Sequence, residues 1–182
     1  SRMNTVASAP LHDDSGNPRP RFTLKFLRSN PLRGTGIGLV LLLRFLFGIF
    51  FLGGAVNKFQ RNYMFGDYPL DLFTKRLTEI DPASFPAMYL EQFIIPNYHL
   101  IGWVVTWGEL AVAVGMLLGL CTRTAGLIAI FLMVNFSLGG YHDASLIVLN
   151  LIALVFVVLP TGHWWGLDRG LHARQPDSIW FR

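Results

Sequence analysis

The sequence predicts an all-α integral membrane protein: a four-helix bundle with a short amphipathic helix in the outer loop between spans one and two. Three observations carry this expectation. Of 182 residues, 52% are hydrophobic and only 14% are charged, against about 25% charged in soluble domains. The apolar residues fall in blocks long enough to cross a bilayer, which takes roughly 20 mostly apolar residues, instead of scattering as a globular core does. Lysines and arginines gather in the segments between those blocks, where they set membrane orientation.

Residues 1–34 read as a polar cytoplasmic segment, rich in Pro, Gly, Asp and Arg, without the apolar run of a signal peptide. The membrane domain is expected over 35–171, with a cytoplasmic tail at 172–182. Its spans are placed at about 36–56, 98–120, 124–138 and 144–159. The short link from Leu120 to Arg123 makes spans two and three a tight hairpin. Gly139, Gly140 and Tyr141 turn the chain into span four, and Pro160, Thr161 and Gly162 stop it.

The outer loop, about 59–97, holds one amphipathic stretch. Leu70, Phe73, Leu77 and Ile80 share a helical face, Pro69 suits the first turn, and Asp67 is placed to cap it. Such a helix fits the outer membrane surface. Pro82, Pro86 and Pro96 are expected to break the rest of the loop into short pieces.

An even number of spans puts both termini on one side. Ten Lys and Arg lie there, from Arg2 to Arg182. The other side has Lys58, Arg61, Lys75 and Arg76, offset by Asp67, Asp71, Glu79, Asp81 and Glu91. Basic loops stay inside, so both termini are expected to be cytoplasmic in a bacterial or archaeal cell membrane. Trp164 and Trp165 then suit the inner interfacial belt. The net charge of +4 is read as topology rather than as nucleic-acid binding. The lone Cys121 excludes an intramolecular disulfide, a CxxC pair and a cysteine-rich metal cluster.

Polar residues inside the spans are the first functional candidates. Counting from the inner ends places Arg44 and Glu109 at similar depth, which predicts a buried ion pair between spans one and two. Asn135 and Asn150 reach a comparable level, completing a buried polar belt. The belt either registers the helices or also lines a substrate or quinone path. At the outer face Asn57, Lys58 and Arg61 close span one, His99 opens span two, and His142 with Asp143 opens span four.

That outer set suits a small anion or a quinone headgroup, bound by Lys58, Arg61, His99 and Asp143. Lys58 and His142 are the catalytic candidates, His142 as a proton carrier near neutral pH. The plainer alternatives are that Lys58 snorkels and Asp143 caps span four. His99, His142 and Asp143 are too sparse for a metal site. Gly48, Gly53, Gly54, Gly115 and Gly119 read as close-packing positions, and His163 and His172 as cytoplasmic surface residues.

The string Leu43-Arg-Phe-Leu-Phe-Gly48, followed by Gly54-Ala-Val-Asn-Lys58, resembles the first span of DoxX/DoxD-like membrane proteins. Trp107-Gly-Glu109 with Leu118-Gly-Leu-Cys-Thr-Arg123 is similar to that family's second span and hairpin, and Gly166-Leu-Asp168-Arg to its ending. In size and outer loop the resemblance is nearest to the DoxD type, the membrane subunit of thiosulfate:quinone oxidoreductases. It implies electron transfer from thiosulfate to quinone and a DoxA-like partner chain.

Two functions therefore compete. One is the membrane subunit of a quinone-linked oxidoreductase, with quinone as the only cofactor and none intrinsic, since haem, flavin and cluster ligands are missing from the sequence. The other is a non-catalytic accessory subunit of a larger respiratory or photosynthetic assembly, held to membrane lipid and partner subunits. A transporter fits less well, because repeated halves and broken helices are lacking.

Overall fold

A computed structural model describes residues 21–175 and Ser178. The expectations for residues 1–20 and for the end of the tail lie outside the described residues. All regular structure among the described residues is helical.

Helix α1, Leu24–Ser29, opens on Thr23, whose hydroxyl accepts from the Phe26 N–H. Helix α2, Pro31–Gln60, extends beyond the expected apolar block at both ends. Apolarity limits what sits in hydrocarbon, whereas the helix continues wherever its backbone bonds do, and Pro31 occupies the first turn at no cost.

Helix α3, Tyr68–Glu79, is the expected amphipathic helix. Its Phe73 is buried, and Leu77 and Ile80 pack with it on Leu90 and Ile94. Much of the apolar face is thus covered by the protein's own next helical run. Asp67 stands at the N-cap position but makes no side-chain cap bond. Its carboxylate accepts from the Tyr98 hydroxyl at 2.8 Å instead, which ties the loop helix to the start of the next long helix.

Helix α4, Phe85–Tyr89, is capped by Ser84. A wide turn at Leu90–Ile94 and a tight turn at Ile95–Asn97 lead directly into α5, Tyr98–Leu118. The prolines therefore do not break this part of the loop as expected. Pro86 lies in the first turn of α4, and Pro96 in the first turn of the tight segment, where a missing N–H is tolerated. Around Pro96, Ile95 N–H reaches back to the Leu90 carbonyl, and the Asn97 side-chain amide donates to the Phe93 carbonyl at 2.8 Å.

Helices α6, Thr122–Leu138, and α7, Ala144–Val158, follow. Then come the short α8, Thr161–Trp164, and α9, Leu167–Arg174. Two helical runs, Pro31–Gln60 and Phe85–Leu118, are long and apolar enough to cross a membrane, while α6 and α7 are apolar but shorter.

The four long helices share one core. Phe47 and Phe51 of α2 meet Val112 and Met116 of α5, Ala129, Leu132 and Met133 of α6, and Ala153 and Phe156 of α7. The Phe47 and Phe156 rings, 5.4 Å apart edge-on, close α2 onto α7. Outward faces stay apolar and exposed, as at Leu46, Phe50, Leu127, Phe131, Ile147 and Leu151. Exposed apolar surface on that scale belongs to a membrane protein.

Close approach fixes the register of α2 against antiparallel α5. A Cβ on Gly48 would lie 2.9 Å from Leu117, and one on Gly54 would lie 2.7 Å from the Glu109 carboxylate. Gly115 likewise faces the Ala125 Cβ at 2.8 Å. Gly53 departs from the packing expectation: a Cβ there meets nothing within 4 Å. At the far end of α5, Gly119 closes the helix at φ +62°, the left-handed cap that glycine adopts freely. The Phe22 N–H donates to the Trp164 carbonyl at 3.0 Å, so both described ends of the chain meet at one end of the bundle.

Candidate functional site

Lys58, in the last turn of α2, donates to Glu109 of α5, with Nζ and Oε1 2.8 Å apart. Their side chains are 18% and 7% exposed. The expected Arg44–Glu109 pair is therefore replaced by Lys58–Glu109. Register decides the exchange. Glu109 stands opposite Gly54, whereas Arg44 stands opposite Gly119, whose Cβ would lie 3.1 Å from the guanidinium. Along α5 those two levels are separated by about 15 Å.

Arg44 is fully buried and holds the C-terminal segment. Its Nη1 donates to the Thr161 carbonyl at 2.8 Å and its Nη2 to the Trp165 carbonyl at 2.7 Å. Asp168 completes this clamp from α9. It accepts from the backbone N–H groups of Cys121 and Thr122, at 2.5 and 3.1 Å, and from the Thr122 hydroxyl at 3.2 Å. Burial raises the Asp168 carboxyl above its ordinary pKa, and these donors pull it back only in part. His163, expected at the surface, is instead 1% exposed, its ring 5.1 Å from that of His172. The refolded segment covers it.

The remaining members of the expected polar belt also find separate partners. Asn135 donates to the Phe131 carbonyl and accepts from the Tyr89 hydroxyl at 2.7 Å. Asn150 donates to the Leu146 carbonyl in its own helix. No two of Arg44, Glu109, Asn135 and Asn150 are hydrogen-bonded to each other.

Around the Lys58–Glu109 pair the structure gathers tyrosines. The Lys58 ammonium lies 5.3 Å from the centre of the Tyr63 ring. Burial first, then the neighbouring Tyr141 and Glu109, raise the Tyr63 hydroxyl above its ordinary pKa. Arg61 donates to Asn57 at 2.7 Å and to the Tyr68 hydroxyl at 2.6 Å. Lys58 and Arg61 thus line one small cleft of about 180 Å³, with Asn57, Tyr63 and Tyr68.

The other expected members of the outer set lie elsewhere. His99 is exposed, its ring 4.1 Å from that of Tyr98. His142 is exposed, and Asp143 caps α7, accepting from the Ser145 N–H at 3.2 Å and the Ser145 hydroxyl at 2.8 Å.

A second, larger cleft of about 570 Å³ lies between α5, α6 and the loop helices. Its walls are apolar, including Phe93, Val104, Phe131 and Leu132, with polar groups only from Tyr89, Asn135, Gly139 and Tyr141. Arg76 of α3 fixes Tyr141. It donates to the Gly140 carbonyl, and its guanidinium lies 4.9 Å from the centre of the Tyr141 ring. The Tyr141 hydroxyl is buried and, like Glu109 Oε2, has no hydrogen-bond partner among the described residues. Sequence reasoning passed over Tyr63, Tyr89 and Tyr141, since single tyrosines between apolar spans are ordinary. The available signal was Arg76, a cation on the amphipathic loop helix.

Residues 39–138, more than half of the 182-residue chain, match the DoxX family model. The chain belongs to the DoxX family. The matched stretch of this DoxX chain contains Arg44, Lys58, Arg61, Glu109 and Asn135, and stops before Tyr141 and the Gly166-Leu-Asp168-Arg ending. Comparison with curated proteins and with solved structures gives no match.

Proposed function

We propose that this DoxX chain is the membrane subunit of a quinone-linked oxidoreductase. In this reading α2, the Phe85–Leu118 run, α6 and α7 are its four spans, and both termini are cytoplasmic. One observation supports the function above the rest. The apolar cleft between α5 and α6 has a buried phenol, Tyr141, whose hydroxyl lacks an acceptor. A quinone ring presents carbonyl acceptors on a flat apolar body, so it suits the apolar walls, and the Tyr141 hydroxyl, left without a partner beside them, is the donor we assign to it.

Quinone reduction consumes two electrons and two protons. The electrons come from an oxidisable anionic donor such as thiosulfate, two of which join to tetrathionate and release two electrons, and a DoxA-like partner chain completes the complex. Protons reach the ring from Tyr141, with exposed His142 next to it for exchange with water. Lys58 is charge-matched by Glu109, so an anionic donor such as thiosulfate would have to displace that carboxylate. Arg61, already shared with Asn57 and Tyr68, is the weaker anchor for it.

The test is Tyr141→Phe in the native complex isolated with its partner chains. Quinone affinity should fall about tenfold, equivalent to about 1.4 kcal/mol, with membrane insertion and thermal stability unchanged. Equal quinone binding and equal quinol formation in the variant would remove the catalytic reading and leave an accessory subunit.

A further inference from the structure

A third cleft, of about 550 Å³, opens where the two described ends of the chain meet. Arg21 and Arg169 both line it, together with Trp164, Trp165, Leu117 and Leu118. Among the described residues that line it there is no carboxylate. The nearby Asp168 already accepts from Cys121 and Thr122. Arg169 gives one long bond, 3.3 Å, to the His163 carbonyl, which leaves most of its donors for something else. Burial and the opposing Arg21 both disfavour its charge. Two like charges held in one recess gain from an anion between them.

We infer that this cleft binds a phosphate-bearing anion, its charge between Arg21 and Arg169, and that the anion is the headgroup of an anionic phospholipid. Two features favour a lipid over free phosphate. The far wall is the last turn of α5, where Leu118 is 50% exposed, and Trp165 and Leu167 add further exposed apolar surface. An acyl chain leaving the headgroup would run along that face. Tryptophans with basic side chains at the end of a long apolar helix are also the composition that meets headgroups. The inference concerns the opposite end of the bundle from Tyr141 and does not depend on quinone binding.

The experiment uses the full chain, delipidated in neutral detergent, and reads thermal stability and tryptophan fluorescence. Three additions are compared: phosphatidylglycerol, phosphatidylcholine and inorganic phosphate. Phosphatidylglycerol should bind at least about tenfold tighter than phosphatidylcholine, and the preference should shrink as salt rises. The double variant Arg21→Gln/Arg169→Gln should lose the preference, whereas Arg28→Gln, an exposed cation outside the cleft, should keep it. If the double variant does not fold, the salt dependence and the single Arg21→Gln variant decide instead. An effect of inorganic phosphate equal to that of the lipid would keep the anion site and overturn its assignment to a headgroup. Equal binding of both lipids with no phosphate effect, or a preference that survives in the double variant, would overturn the site itself.

Discussion

Lys58 reaches from the last turn of α2 to Glu109 near the middle of α5, 2.8 Å away, and the second carboxylate oxygen faces the space that a side chain at Gly54 would fill. The pair lies within the stretch that matches the DoxX family model, and it neutralises both charges in a place that water barely reaches. Its energetics are asymmetric: removing one partner strands the other.

Lys58→Met should therefore destabilise the protein by about 3 kcal/mol, because Glu109 loses its counter-charge. Adding Glu109→Gln should restore more than half of that loss. Thermal unfolding of the single and double variants in one detergent measures the coupling. Additive effects would mean that the two side chains do not interact.

Arg44→Lys should loosen the C-terminal segment without unfolding the bundle. A single ammonium cannot span the carbonyls of Thr161 and Trp165 as the guanidinium fork does. Limited proteolysis should cut between residues 160 and 175 at least about tenfold faster than in the parent, matching a loss of about 1.4 kcal/mol. An unchanged cleavage rate would show that α8 and α9 are held by other contacts.

Gly119→Ala and Gly53→Ala should differ in sign. At Gly119 the backbone is left-handed at φ +62°, and the added methyl would lie 2.7 Å from the Gly166 Cα. A loss of about 1–3 kcal/mol is expected from strain alone. Gly53 is helical with open space around it, so alanine there should be neutral or stabilise by up to about 1 kcal/mol. Unfolding midpoints of the two variants, compared directly, decide this.

Asp143 should put a pH signature on the start of α7. The Ser145 hydroxyl first, then the Ser145 N–H, hold its carboxyl below the ordinary value of 3.8. A carboxylate with a lowered folded pKa stabilises the fold above its unfolded pKa. That contribution disappears as pH falls through the lower folded value. Asp143→Asn keeps an acceptor for the cap but cannot titrate, so its unfolding midpoint should depend less on pH below about pH 4. Identical acid branches for parent and variant would refute a role for the carboxylate charge.

Local signals made much of the fold legible. Helices α5, α6 and α7 end within two residues of the expected spans, because apolar blocks, glycine caps and Pro160 act at short range. Pro96 was misread for the same reason: a proline is a local breaker, yet here a wide turn before it and the Asn97 side chain after it carry the helix through. At the candidate site, Lys58 and Arg61 were readable as cations closing a span. The partner of Lys58 was not, and Tyr141 was not.

By itself, then, the sequence determined where the long helices and the amphipathic loop helix lie, which faces are apolar, and that Arg44, Lys58 and Glu109 are charges set into apolar helices, whereas the short helices α1, α4, α8 and α9 were not read from it. Those properties depend on residues a few positions apart. The tertiary structure decided which charges meet. Depth counted from the inner end of each apolar block assumed that the start of span one lies level with the end of span two, but α2 begins earlier and the segment after α7 folds back beneath it. The register set by Gly48 on Leu117 and Gly54 on Glu109 therefore places Arg44 against the Thr161 and Trp165 carbonyls and leaves Glu109 to Lys58. Close packing between helices fixes that register to a fraction of a turn, and no property of either helix alone specifies it.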